Sequence, residues 1–213
     1  FIWDMRYPAP AKLEGEAKKG RFEQTLATAV RPRALPGEYQ VELVVGDQTV
    51  TQHFTIVKDP RVRASDADLR AQFELKVAIR DRIDEIHQAV NRIRRLRRQV
   101  EEWEARAQGA GKIEQIAEAA NALRERLTAL EREFIQVDAE KAQPGPTRVR
   151  EKLVALSSMI DESEDRPTQG AYAVYEELAQ EVERLRQQLE HVVAQEVAAF
   201  AAQLNRVGVP ALV

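Results

Sequence analysis

The chain has 213 residues, 31% charged and 44% hydrophobic, with 32 Lys+Arg against 35 Asp+Glu and a net charge of -3. The near balance removes the electrostatic case for nucleic acid or an anionic membrane as partner. With no cysteine, disulfides, thiol chemistry and Cys-based zinc sites are excluded. No apolar run approaches the ~20 residues that span a bilayer.

The first stretch, FIWDMRYP, alternates Phe1, Trp3, Met5 and Tyr7 with Ile2, Asp4 and Arg6, the pattern of a half-buried strand. GRFEQTLATAV (20–30) is a weaker strand. In PGEYQVELVVGDQTVTQHFTIV, Pro36-Gly37 and Gly46-Asp47 are turn signals. Tyr39, Val41, Leu43 and Val45 fall on one face, continued by Val50, Phe54 and Ile56. Thr49, Thr51, His53 and Thr55 fall on the other. This predicts a β-hairpin with a dry and a wet side. Three or four strands within residues 1–60 fall short of the ~7 of an Ig-like sandwich. The expectation is a partial antiparallel sandwich whose remaining strands lie upstream of Phe1.

The period then changes. Ser65 and Asp68 form a capping-box signature. Leu69, Phe73, Ile79, Ile83, Ile86, Val90, Ile93, Leu96, Val100 and Trp103 recur at helical spacing, predicting a helix over about 65–107. GAGK (109–112) ends it. Ile113, Ile116, Ala120, Leu123, Leu127, Leu130, Phe134 and Val137 mark a second helix with a coiled-coil seam. AQPGPT (142–147) breaks the chain before a short third helix bearing Val149, Leu153, Leu156 and Ile160. DRPTQG (165–170) breaks it again. A fourth helix carries Tyr172, Tyr175, Leu178, Val182, Leu185, Leu189, Val192, Phe200 and Leu204, ending near Val207-Gly208. The expected class is α+β in two parts. A partial Ig-like sandwich (1–60) precedes an antiparallel up-down-up-down four-helix bundle (64–207), with a short tail (208–213).

Chemistry-bearing residues each have an ordinary reading. Arg92, Arg94, Arg95, Arg97 and Arg98 resemble a phosphate-binding stripe. They lack interleaved aromatics, and Arg97–Glu101 and Arg98–Glu102 pairs along the helix would neutralise two of them. His53, His87 and His191 have no partner at metal-ligand spacing. Glu101-Glu102, Asp161-Glu162 and Glu176-Glu177 are neighbours on a helix, pointing ~100° apart rather than across a cleft. Tyr172, Tyr175 and Trp103 are assigned to closing the end of the bundle where the third and fourth helices meet. GAGK lacks the spacing of a phosphate loop. No catalytic, cofactor-binding or metal site is expected, and no cofactor.

FIWDMRYP, PGEYQVELVV, FTIVKDPR and a long helical segment occur in an order that resembles the C-terminal region of bacterial sortilin-type BNR/Asp-box β-propeller proteins. These are often labelled glycosyl-hydrolase-like. The β part is also similar to the Ig-like module of flagellar hook-capping proteins. RPTQGAYAVYEELAQEVERLRQQLEHVVAQEVAAFAAQLNRVGVPAL is similar to the first family's tail. The matching residues are Trp3, Asp4, Arg6, Pro36, Gly37, Tyr39, Asp59, Pro60 and Arg61, all structural in that family. The resemblance implies that Trp3 and Tyr39 fill a sandwich core, and that Asp59 and Arg61 set the angle between sheet and helices. It implies a secreted or periplasmic, non-catalytic accessory region. Its partner would be an upstream β-propeller of the same chain, or another protein. A substrate-access region of a glycoside hydrolase and a free-standing coiled-coil adaptor are the alternatives.

Overall fold

The computed structural model describes residues 2–15, 30–137 and 147–209. Over these described residues the protein is α+β, a two-stranded antiparallel sheet plus four helices. The strands are β1 (Gly37–Val45) and β2 (Gln48–Ile56). The helices are α1 (Asp66–Gly109), α2 (Ala117–Phe134), α3 (Val149–Asp161) and α4 (Gln169–Val192). A π-helical segment (Val193–Val197) continues α4 into α5 (Ala198–Val207).

The hairpin has the expected register: Tyr39 faces Phe54, Leu43 faces Val50 and Val45 faces Gln48. Gly46, the first turn residue, takes φ +58°, the left-handed position of a type II′ turn. The alternation divides the faces as expected, but the dry face is not buried. Val41, Leu43, Val45 and Val50 are each more than half exposed. Among the described residues only its Tyr39–Phe54 end is covered, by Trp3 at 6.0 and 6.2 Å between ring centroids.

FIWDMRYP is not a strand over its described residues. Its one ladder contact is a bridge between Arg6 and Arg33. Met5 takes φ +55°, which interrupts the alternation, and the Asp4 carboxylate accepts from the Arg6 amide two residues on. The strand candidate 20–30 lies outside the described residues except for Val30, and the AQPGPT break except for Thr147.

Residues 7–14 lie along α1 instead of joining the sheet. The Tyr7 ring meets Phe73 edge-on at 5.1 Å. The Ala11 amide donates to Asp84, and the Ala11 carbonyl meets His87 Nδ1 at 2.5 Å. The Asn91 side chain donates to the Lys12 carbonyl and accepts from the Glu14 amide, both at 2.8 Å. Leu13 is buried. Asp84, His87 and Asn91 follow the 3-4 spacing of one helix face.

The helices start and stop where the chemistry dictates. Ser65 and Asp68 form the expected capping box. Thr168 caps α4, and Gly208 ends α5 in the left-handed conformation. The second helix is shorter than its apolar pattern. Residues 113–115 form a 3₁₀ turn, and Ile135 turns extended after Phe134.

Side-chain pairs fix the directions. Arg94 meets Glu131 and Glu104 meets Arg124, so α2 runs antiparallel to α1. Glu151 meets Gln136 at the end of α2, while Ile160 and Asp161 meet Gln72 and Lys76. α3 therefore continues the downward course of α2. Arg92 meets Glu190, Arg126 meets Glu196, and Gln203 meets Gln115, so α4 and α5 run parallel to α1. The expected up-down-up-down order is corrected from α3 onward to up, down, down, up. The cross-section is three helices deep, with α2 and α3 following one another along α1. Ile79, Ile83, Ile86 and Ile93 of α1 are buried with Leu127 and Phe134 of α2, Leu153 of α3 and Leu185 of α4. Each such side chain contributes about 1.5–3 kcal/mol on burial.

Candidate functional site

A cleft of about 410 Å³ lies where the hairpin, the N-terminal segment, the start of α1 and the end of α3 meet. Leu35, Ile56, Leu69 and Phe73 give it an apolar wall. Its polar wall is organised by Asp161, the last residue of α3. Lys76 Nζ lies 2.6 Å from the Asp161 carboxylate, Arg6 at 3.3 Å and Arg33 at 3.8 Å. Arg33 also meets Glu164 at 3.1 Å. Arg6 donates to the Arg31 carbonyl at 2.7 Å, and Arg31 holds Asp4 through both guanidinium nitrogens. One carboxylate thus joins α1, α3 and the segments that lead into the hairpin.

Lys76 is 2% exposed. Burial pulls its ammonium below the ordinary lysine range, and the bond to Asp161 works the other way without cancelling it. Burial alone would raise the Asp161 carboxyl. Lys76, Arg6 and Arg33 outweigh it and hold that carboxyl below the usual aspartate range. The arrangement is a buried tie with neighbours that favour the ionised acid. It does not present the exposed nucleophile and adjacent base that covalent catalysis needs.

The sequence reading did not single out this cluster. Its trace is a gap in the apolar stripe of α1, which passes from Phe73 to Ile79 with Lys76 between them. A charged residue at a core position of a helix signals a buried partner.

The arginine stripe is spoken for by carboxylates. Arg94 and Arg97 both reach Glu131, which is 2% exposed, at 2.7 and 2.9 Å. Arg95 and Arg98 both reach Glu14 at 2.8 Å, and Arg92 reaches Glu190 at 2.5 Å. Arg94 also donates to the Glu14 carbonyl. The Arg97–Glu101 and Arg98–Glu102 pairs are replaced by these longer-range ones. Glu131 occupies a seam position between Leu127 and Phe134, so it draws the arginines inward.

The histidines are not brought together. His53 lies on the exposed hairpin face and His191 on an exposed face of α4, while His87 is buried against Ala11. Among the described residues no group of three His, Cys, Asp or Glu could hold a metal ion. Tyr172 and Tyr175 pack on the core near the start of α4. Trp103 lies near the far end of α1, with Arg106 4.5 Å above its ring, so it does not join the two tyrosines in closing the bundle where α3 and α4 meet. Asp59 and Arg61 pair bidentately within their own turn, at 3.0 and 2.6 Å, rather than bridging sheet and helices. Among the described residues no helix is long and apolar enough to cross a membrane.

No family model, curated protein or solved structure matches the chain.

Proposed function

We propose that this chain is a non-catalytic accessory region of a secreted or periplasmic protein, in which a partial Ig-like sandwich is carried on an antiparallel helical bundle. In this reading it supports an upstream β-propeller of the same parent chain. The observation that carries the reading is the uncovered dry face of the hairpin. Val41, Leu43, Val45 and Val50 alternate as an inward-facing sandwich strand pair would, yet stand in solvent. A two-stranded hairpin alone is marginal in water, and an apolar sheet face calls for a second layer. The Tyr39 hydroxyl adds support. It donates to the Leu35 carbonyl four residues upstream at 2.8 Å, as the tyrosine corner of β-sandwiches does.

The helical part suits a support. It buries its own stripe, and hydrogen bonds together with the Arg95–Glu14 ion pair hold the N-terminal segment along α1. The test is to read the coding sequence upstream of Phe1, express the longer chain, and compare amide exchange in the hairpin with that of the 213 residues alone. The reading expects further strands and Asp-box repeats upstream, with slower exchange at Leu43 and Val45 in the longer protein. Unchanged exchange there, or upstream sequence without strands, sinks it.

A further inference from the structure

We propose that the outer edge of β1 is a docking site for an extended segment of a partner protein, one in which Lys or Arg alternates with apolar residues. The inference does not rest on the reading above. A layer packed on the dry face of the hairpin would leave this edge open, because the ladder groups of a strand point in the plane of its sheet.

The turn sets which groups face outward. Gly46-Asp47 is a two-residue loop, so Val45 and Gln48 form a hydrogen-bonded pair, and the pattern alternates down the hairpin. Tyr39, Val41, Leu43 and Val45 turn their amides and carbonyls to β2. Glu38, Gln40, Glu42 and Val44 turn theirs to the free edge, and all four residues are exposed. Among the described residues the sheet ends at β1 on this side, and no backbone group from elsewhere bonds to these four. Proteins blunt such edges with lysine, proline or a bulge. β1 has none of these, and its register with β2 runs unbroken over 9 residues.

Charge says what fits the edge. Residues 34–57 hold Glu38, Glu42 and Asp47 and no Lys or Arg. The whole chain has 35 Asp+Glu against 32 Lys+Arg, so the hairpin carries the entire acidic surplus and the remainder balances. Among the described residues no cation pairs with these three carboxylates, and Glu38 accepts from the Thr55 hydroxyl at 2.7 Å. Glu38 and Glu42 stand on one face of the edge strand with Gln40 between them, opposite Thr55, Thr51 and His53. Tyr39, Val41 and Leu43 stand on the other face. A strand added at this edge sets its side chains alternately beside the glutamates and beside the apolar row. Alternate Lys or Arg and apolar residues answer both. A second copy of this chain does not, because pairing through the same edge would gather both copies of Glu38 and Glu42 on one face with no cation among them. In such strand addition the ladder bonds supply affinity and the alternate side chains supply selectivity.

The test titrates the 213-residue chain with a short blocked peptide alternating lysine and valine, and follows amide resonances and their hydrogen exchange by NMR. A twin with glutamate in place of lysine keeps the alternation and reverses the charge. The expected result is saturable binding of the lysine peptide, with exchange slowed at the amides of Glu38, Gln40, Glu42 and Val44, and much weaker binding of the twin. A double variant, Glu38→Gln with Glu42→Gln, should weaken the lysine peptide about fivefold while leaving the thermal melt unchanged. Raising the salt on the unaltered chain should weaken the same peptide, a readout that holds whatever the variant does to folding. Slowed exchange at Thr49, Thr51, His53 and Thr55 instead would place the site on the β2 edge and overturn the proposal. So would equal binding of the twin, or peptide binding that leaves amide exchange along β1 unchanged. Slowed exchange along β1 that grows with protein concentration and needs no peptide would assign the edge to a second copy, and would overturn it as well.

Discussion

Lys76 and Asp161 meet at 2.6 Å although 85 residues of sequence separate them. The pair joins the first third of α1 to the last residue of α3, and Arg6 and Arg33 close on the same carboxylate from the β side. Its two members are not equivalent. Lys76→Met leaves Asp161 with two arginines. Asp161→Asn leaves a 97%-buried ammonium side chain without its carboxylate. Urea denaturation should show the aspartate change as the larger loss, about 3 kcal/mol, and the lysine change as the smaller. Equal losses would mean that Arg6 and Arg33 do not share Asp161 in solution.

The same carboxylate sets a pH dependence. Its folded pKa is depressed below the ordinary value of 3.8. The stability it contributes is therefore complete above the ordinary aspartate range and is lost as pH falls through the depressed folded value. Urea midpoints measured from neutral pH down into strong acid should fall less steeply for Asp161→Asn than for the unaltered chain.

Glu151 has the opposite sign. Burial raises its carboxyl above the usual glutamate range, against the pull of Arg150 and the Gln136 amide that it accepts at 3.2 Å. Its ionised form is disfavoured in the folded chain, so it costs stability as pH rises through the raised value. Glu151→Gln keeps an acceptor for the Gln136 amide. It should stabilise the chain at neutral pH, and the gain should vanish in acid where both chains are uncharged at this position. A variant less stable than the parent at neutral pH would refute this.

Glu131 is the anchor of Arg94 and Arg97 across α1 and α2. Glu131→Ala leaves two partly buried guanidinium groups facing each other. It should cost about 3 kcal/mol in chemical denaturation. Arg97→Ala, which leaves Arg94 in place, should cost less than half as much.

The two apolar surfaces predict contrasting responses. Leu127→Ala, at a fully buried position, should lose about 2–5 kcal/mol. Leu43→Thr, at 62% exposure, should change the stability of these 213 residues by less than about 0.5 kcal/mol. If the proposed function holds, the same threonine in a longer chain that supplies the second sheet should become costly, because it would then face that sheet. Calorimetry of both lengths measures the difference.

Side chains that repeat were legible. The 3-4 steps from Ile79 to Val100 gave α1, Ser65 and Asp68 gave its start, and the alternation from Tyr39 to Ile56 gave the hairpin and its register. Three things were not. The direction of α3 depends on the chain between Phe134 and Val149, which is long enough either to reverse or to continue, and neither apolar stripe chooses between them. The docking of residues 7–14 on α1 uses the backbone of Ala11, Lys12 and Glu14, a group that every residue carries, and a Glu14 side chain whose partners Arg95 and Arg98 lie too far along the chain for local spacing to reveal. The choice of Glu131 over Glu101 by Arg97 depends on helix pairing, which local spacing does not encode. At the cleft, only Lys76 left a mark. Arg6 comes from a segment whose alternation suggests a strand and Arg33 from one without a period, and neither pattern points to Asp161.

The π-helical segment between α4 and α5 has a consequence for insertion and deletion. Leu185, Leu189 and Val192 are buried on one side of the helix, and the next buried residues are Phe200 and Leu204. Eight residues separate Val192 from Phe200, where two α-helical turns would use about seven. The wider turn of Val193–Val197 absorbs the surplus and keeps both stretches in phase. Removing one residue within Val193–Val197 should let the segment close into ordinary α-helix with the stripe still aligned. The same deletion three turns earlier would rotate everything after it by about 100° and pull the stripe out of the core. That segment is the one place along this leg where the chain can lose a residue and stay in step.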